Sequence, residues 1–158
     1  MAASYLSFTD ESVLPRLVGA LSARTVVIDV EPLVAAWDGA QDALDRGISR
    51  VLGQLASVPA VSAVCFATNS ARRPSALPLV HGVEVSYLVS ARKPVHAAPY
   101  LRLPVPGVVV GDQIMTDGLL ARRLGYAFLH YRHPQHAPLG PRLLDACGRL
   151  VRPLLFRR

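Results

Sequence analysis

Four strand-like runs in this chain each lead into residues that can do chemistry. Thr25-Val-Val-Ile-Asp29 closes on a carboxylate, and Val61 to Ala67 is followed by Thr68 and Asn69. Arg92 and Lys93 come after Val83 to Leu88, and Gly107-Val-Val-Val-Gly111 leads into Asp112, with Asp117 close behind. One polar residue after a strand is usually a turn former or a helix cap; four in succession make a constellation. Carboxylates at adjacent strand ends, Asp29 and Asp112, repel each other unless a cation sits between them. Oxygen donors without histidine or cysteine suit Mg2+, which in turn binds phosphate oxygens. The Thr68 hydroxyl and the Lys93 ammonium would complete a phosphoryl-binding cradle. Asp29 is then placed as a nucleophile that forms an aspartyl-phosphate, with Mg2+ and Lys93 offsetting charge in the transition state. Sixteen of the 17 basic residues are arginine, so Lys93, the single lysine, invites a reason.

The elements that must position these residues alternate. Val13 to Leu21 reads as a short helix. Ala40 to Ser57 is a longer one, with Ala43, Leu44, Ile48, Val51, Leu52 and Leu55 at helical spacing. Asp117 to Leu124 and Pro141 to Arg152 are further helices, and Tyr126 to Tyr131 is a fifth strand. Ser70 to Pro78, rich in arginine and proline, reads as a loop. His96 to Arg102 leaves room for a short helix among Pro94, Pro99 and Pro104. This alternation predicts an α/β, Rossmann-like fold with a central parallel sheet of about five strands flanked by helices. Ligands in such sheets sit at the carboxyl ends of the strands.

Composition removes several function classes. A chain of 158 residues with 51% hydrophobic and 18% charged residues predicts one packed domain, 1–158, and not a disordered one. Cys65 and Cys147 are too few for a disulfide framework or a cysteine-rich zinc site. Asp10 and Glu11 replace the basic start of a secretory signal, and no span is apolar enough for a membrane helix, so a cytoplasmic location is expected. Residues 1–131 carry a net charge of +1 and residues 132–158 a net +5. The protein thus reads as a nearly neutral domain with a basic, amphipathic helix at about 141–158.

The order Val27-Ile-Asp29-Val-Glu31, Thr68-Asn69, Lys93-Pro94 and Gly111-Asp-Gln-Ile-Met-Thr-Asp117 resembles the haloacid dehalogenase superfamily of phosphatases. Asp29-Val-Glu-Pro-Leu-Val-Ala-Ala-Trp37-Asp38, Ala91-Arg-Lys-Pro94 and the Gly111 to Asp117 element with Leu124-Gly125 are similar to its subfamily IIIA, the YqeG-type branch. That branch includes phosphatidylglycerophosphate phosphatases. The resemblance spans roughly residues 13–158. It implies a Mg2+-dependent phosphomonoesterase of phospholipid metabolism, with Asp29 as nucleophile and Glu31 as general acid and base. Thr68, Asn69 and Lys93 would bind phosphate. Asp29, Asp112 and the backbone carbonyl of Glu31 would ligate the metal, and Asp117 would orient the metal shell or Lys93. The first motif of the superfamily reads Asp-x-Asp-x-Thr, whereas this chain has Glu31 at the second acid and Leu33 at the threonine position. Losing general acid–base help usually lowers a rate by ~10²–10⁴. The gaps from Glu31 to Thr68 and from Thr68 to Lys93 hold no inserted cap domain, and an uncapped site suits a protein or a lipid headgroup.

On a helical wheel Leu143, Leu144, Cys147, Leu150, Val151 and Leu154 share one face, with Arg142, Arg149 and Arg152 opposite. The simplest expectation is that this face packs on the sheet and that the arginines are left to touch anionic lipid on the inner membrane face. Leu154 to Arg158, past Pro153, is a second candidate for membrane contact. His130, His133 and His136 recur at intervals of three, as a loop or as a transition-metal site. Trp37 reads as an anchor of the first loop or as a substrate wall. A basic stretch with few interleaved aromatics argues against nucleic acid. The competing reading is a weakened relative that binds a phosphorylated ligand or a protein partner.

Overall fold

Runs of β-branched residues form strands where neighbours can cover both of their faces. The computed structural model describes residues 4–133 and 139–156. Its strands are β1 Tyr5–Phe8, β2 Thr25–Asp29, β3 Ala63–Ala67, β4 Glu84–Leu88, β5 Gly107–Gly111 and β6 Ala127–Tyr131. They form one parallel sheet in the order β1-β6-β5-β2-β3-β4. The helices are α1 Leu14–Ala20, α2 Gln41–Ala56, α3 Leu119–Leu124 and α4 Leu139–Leu155. The α/β class and the parallel sheet are as expected, but the described residues hold six strands instead of about five. The additional one, β1, buries only Phe8 fully. It carries no continuous apolar run and becomes a strand by pairing with β6, Tyr5 beside Phe128 through Phe8 beside Tyr131.

Alternation along the strands divides the interior into two layers. Val26, Ile28, Val64, Phe66, Val108 and Val110 face α1 and α2. Val27, Cys65, Val109 and Phe128 face Tyr100, Ile114, Leu120 and Phe156 on the other side. After β2 the chain crosses outward to β3 through α2; after β5 it crosses the opposite way to β6 through a π-helical turn, Ile114–Gly118, and α3. The crevice between β2 and β5 is therefore the topological switch point, where this class of sheet binds its ligands.

The C-terminal helix departs from expectation in two ways. It continues through Pro153 to Leu155 instead of breaking there. The last turn is held from outside: Arg122 donates to the carbonyls of Leu154 (3.1 Å) and Leu155 (2.7 Å). Phe156 then packs among Tyr5 and Phe128, with ring centroids 5.4 and 5.7 Å away. Leu154 to Phe156 are thus not a free tail, and Arg157 and Arg158 lie outside the described residues. The helix also does not lay its whole apolar face on the sheet. Gly148 lies against Ile114, so closely that a Cβ would fall 2.8 Å from the Ile114 Cβ. Together with Phe156 this turns Leu143, Leu150 and Leu154 outward, at 68%, 80% and 75% exposure. Among the described residues no helix is long and apolar enough to cross a membrane.

Candidate functional site

Register carries two carboxylates to one end of the sheet. Ile28 of β2 lies beside Val110 of β5, so Asp29 and Asp112 emerge side by side at the carboxyl ends. Asp117 joins them from the π-helical turn because Gly111 leaves room for it. A Cβ on Gly111 would overlap the Asp117 carboxylate, so no larger residue can stand there without moving this group. Carboxylate oxygens of Asp29, Asp112 and Asp117 all lie within 4.8 Å of one another.

Lys93 enters from the loop after β4, its side chain only 2% exposed. Its Nζ lies 2.7 Å from Asp29 Oδ1 and 2.8 Å from Asp117 Oδ1. Asn69 grips the Lys93 backbone on both sides: its Oδ1 accepts from the Lys93 N–H at 2.8 Å, and its Nδ2 donates to the Lys93 carbonyl at 3.3 Å. The amide of Asn69, expected at a phosphate, is thus engaged in positioning the lysine.

One ammonium among three carboxylates leaves a surplus of two negative charges when all are ionised. Burial and then the Asp117 charge hold the Asp29 carboxyl well above its ordinary range, against the pull of Lys93. The same two causes push Asp112 up to about 7. Burial opposes the Lys93 charge, yet Asp117 and Asp29 outweigh it and keep the lysine protonated above its usual range. Among the described residues Asp112 Oδ1 is buried without a hydrogen-bond partner. An orphaned acceptor in an oxygen-only cluster with a surplus of two charges fits a hard divalent cation such as Mg2+.

The peptide of Asp112 is held by a residue the sequence reading placed elsewhere. His130 Nε2 lies 2.9 Å from the Asp112 carbonyl, and Tyr5 Oη lies 2.7 Å from His130 Nδ1. A carbonyl only accepts, so Nε2 carries the proton and Nδ1 accepts from the tyrosine. Burial lowers the His130 pKa, which favours this neutral form. His133 instead packs edge-on to Trp37 and Tyr131. The structure therefore gives His130 and His133 separate roles, and His136 lies outside the described residues.

Glu31 reaches the other side of the cleft. Its Oε2 accepts from Thr68 Oγ1 at 2.7 Å, and Thr68 Oγ1 is also 2.9 Å from Ser70 Oγ. Acid and hydroxyl, expected in separate roles, are hydrogen-bonded to each other. Leu33, at the motif's threonine position, is buried in the apolar layer beside α2. A threonine there would bury a hydroxyl among aliphatic side chains.

Asp29, Glu31 and Thr68 line a cleft of about 290 Å³ together with Trp37, Arg72 and Gln113, while Lys93, Asp112 and Asp117 lie behind its wall. Sequence reasoning missed Gln113, whose N–H donates to Asp117 Oδ2 at 3.3 Å, and Arg72. The only signal for Arg72 was an arginine-rich loop after β3. Comparison of the chain with family models, with curated proteins and with solved structures finds no match.

Proposed function

We propose that this chain is a Mg2+-dependent phosphomonoester hydrolase working through an aspartyl-phosphate, as its resemblance to haloacid dehalogenase phosphatases implies. The observation that carries the reading is the Asp29–Asp112–Asp117 cluster, its surplus charge and the orphaned Asp112 oxygen, at the switch point of the sheet. Asp29, Asp112 and the Glu31 carbonyl would hold Mg2+, which when bound draws charge from the phosphoryl oxygens.

The chain's own residues do the rest. Lys93 holds Asp29 Oδ1, leaving Oδ2 to attack phosphorus as the ester P–O bond breaks. Glu31 gives its proton to the departing alkoxide. Water then attacks the phosphoryl group, loses a proton to Glu31, and releases phosphate with Asp29 restored. Thr68 must turn its hydroxyl from Glu31 to a phosphoryl oxygen as substrate enters. A Mg2+-dependent phosphate-release screen over lipid, sugar, nucleotide and phosphopeptide esters tests the reading. Inertness on every ester, with Mg2+ still bound, removes it in favour of a binding protein for a phosphorylated ligand.

Metal binding carries a pH signature. The metal-free Asp112 carboxyl titrates at about 7, against 3.8 for an ordinary aspartate. Between these values the native state holds more protons than the unfolded one, so this group's contribution to metal-free stability falls as pH rises through that window. A cation displaces the proton. The gain in melting temperature from Mg2+ is therefore expected to be larger at about pH 8 than at about pH 6. At a hundredfold excess over the dissociation constant it corresponds to ~2.7 kcal/mol. Asp112→Asn should lose the gain. A wild-type melt that ignores Mg2+ at both pH values rules out the metal site.

The surface of α3 and α4 supports a substrate held at anionic lipid, phosphatidylglycerophosphate being the one the resemblance implies. Leu143, Leu150 and Leu154 are exposed on α4, and Arg122, Arg123, Arg149 and Arg152 are exposed on the same two helices, Arg152 lying over the Tyr5 ring at 5.5 Å. Of these four arginines, only Arg149 pairs with a carboxylate among the described residues, Asp145. Each arginine near an anionic surface contributes about 1 kcal/mol. Leu150→Glu with Leu154→Glu should abolish sedimentation with phosphatidylglycerol vesicles and leave the melting temperature unchanged, since both side chains are exposed. Equal sedimentation of variant and wild type overturns this docking surface, and a dimer would point to a second copy as its occupant.

A further inference from the structure

Arg72 sits on the wall of the cleft, opposite in sign to everything expected of a metal site. Its guanidinium is held by three backbone carbonyls of the loop after β2. Nη1 donates to Ala36 at 2.8 Å, and Nη2 donates to Gly39 at 2.6 Å and to Ala40 at 2.9 Å. Its own backbone is fixed as well: the N–H donates to Ser70 Oγ at 3.2 Å, and the carbonyl accepts from Tyr87 Oη at 3.0 Å. Among the described residues no carboxylate pairs with it. The nearer acids are engaged elsewhere, Asp29 with Lys93 and Glu31 with Thr68.

A guanidinium carries five N–H donors, and carbonyls accept without neutralising it. Both Nη2 hydrogens and one on Nη1 are used here, so the Nε–H and one Nη1–H remain as single donors, together with the full positive charge. The side chain is half-buried and its rotamer is already set by the loop, so little ordering opposes ligand binding. Arginine in this state suits a planar or tetrahedral anion. The phosphoryl group would have its own cation in Lys93, which is held at Asp29 Oδ1.

We propose that Arg72 binds a second anionic group of the substrate, so that the site selects phosphomonoesters bearing a further carboxylate or phosphate. The inference rests on the phosphatase reading for its substrate, but its test does not need turnover. The probes are phenyl phosphate and its 3- and 4-carboxy derivatives, which differ only in the added charge. Calorimetry with Mg2+ measures their affinities in Asp29→Asn, which cannot form the covalent intermediate, with and without Arg72→Gln. A charge-assisted hydrogen bond should make the better carboxy derivative bind about 10- to 100-fold tighter than phenyl phosphate. Arg72→Gln should remove this ratio, and Arg72→Lys, which keeps the charge without the carbonyl-anchored guanidinium, should retain part of it. A merely structural arginine would weaken all probes together and leave the ratio standing, and that outcome overturns the proposal. So does a ratio near one in the parent, or failure of every probe to bind. Should the wild type hydrolyse nothing while the ratio behaves as stated, the catalytic reading falls and Arg72 keeps its role.

Discussion

Lys93→Met is expected to destabilise the protein by about 3–5 kcal/mol near neutral pH, because it leaves Asp29 and Asp117 buried without their shared cation. Asp117 and Lys93 are almost wholly inaccessible to solvent and Asp29 meets it only at the cleft, so water screens little of the loss. For a chain of this length that amounts to roughly 10 °C in melting temperature. The effect has a direction in pH. Without the lysine the Asp29 carboxyl, already raised, rises further. The native variant then binds protons that the unfolded chain has lost, so the defect grows as pH rises and shrinks in acid. Denaturant melts at about pH 5 and about pH 8 measure it. Equal defects at the two pH values, or a defect under about 1 kcal/mol at the higher one, would show that Lys93 does not hold the cluster together.

Asp29→Asn is expected to bring phosphate release to background without harming the fold. An amide is no nucleophile, yet it matches the carboxylate in size and can still accept from Lys93. It also removes one of the surplus negative charges, so the metal-free melting temperature at about pH 8 should stay level or rise. Loss of turnover with a level melt separates chemistry from stability. Glu31→Gln complements it: the amide keeps the size and the bond from Thr68 but cannot give a proton. A fall of ~10²-fold or more in kcat assigns the acid's work to Glu31. Unchanged kcat would take the proton-transfer role away from it. Restoring the usual motif with Leu33→Thr is a poor control, since burying a hydroxyl in the apolar layer is itself destabilising.

Local pattern made β2, β3, β4, β5 and β6 legible. A short run of β-branched and apolar residues bounded by polar ones has few other ways to be buried. The same runs ordered the site, since a carboxylate directly after a buried parallel strand emerges at the ligand-binding end of the sheet. Asp29, Thr68, Lys93, Asp112 and Asp117 were all visible on that basis. β1 was not, because an edge strand covered on one side shows no apolar run, and its strand state comes from β6. With β1 went the link from Tyr5 through His130 to the Asp112 carbonyl, which joins residues 125 positions apart.

By itself, then, the sequence determined which residues could carry charge or metal and that a parallel sheet would present them at one end. Those properties belong to residue type and to near-neighbour spacing. Tertiary structure alone decided how the groups face one another: the shared lysine between Asp29 and Asp117, the Thr68–Glu31 bond, the anchoring of Arg72 by three carbonyls and the outward turn of α4. Each depends on which distant surfaces approach closely enough to exclude water. That is settled by the contacts at Gly111, at Gly148 and around Phe156, where the absence of a Cβ or the burial of one ring chooses among faces that periodicity leaves equivalent.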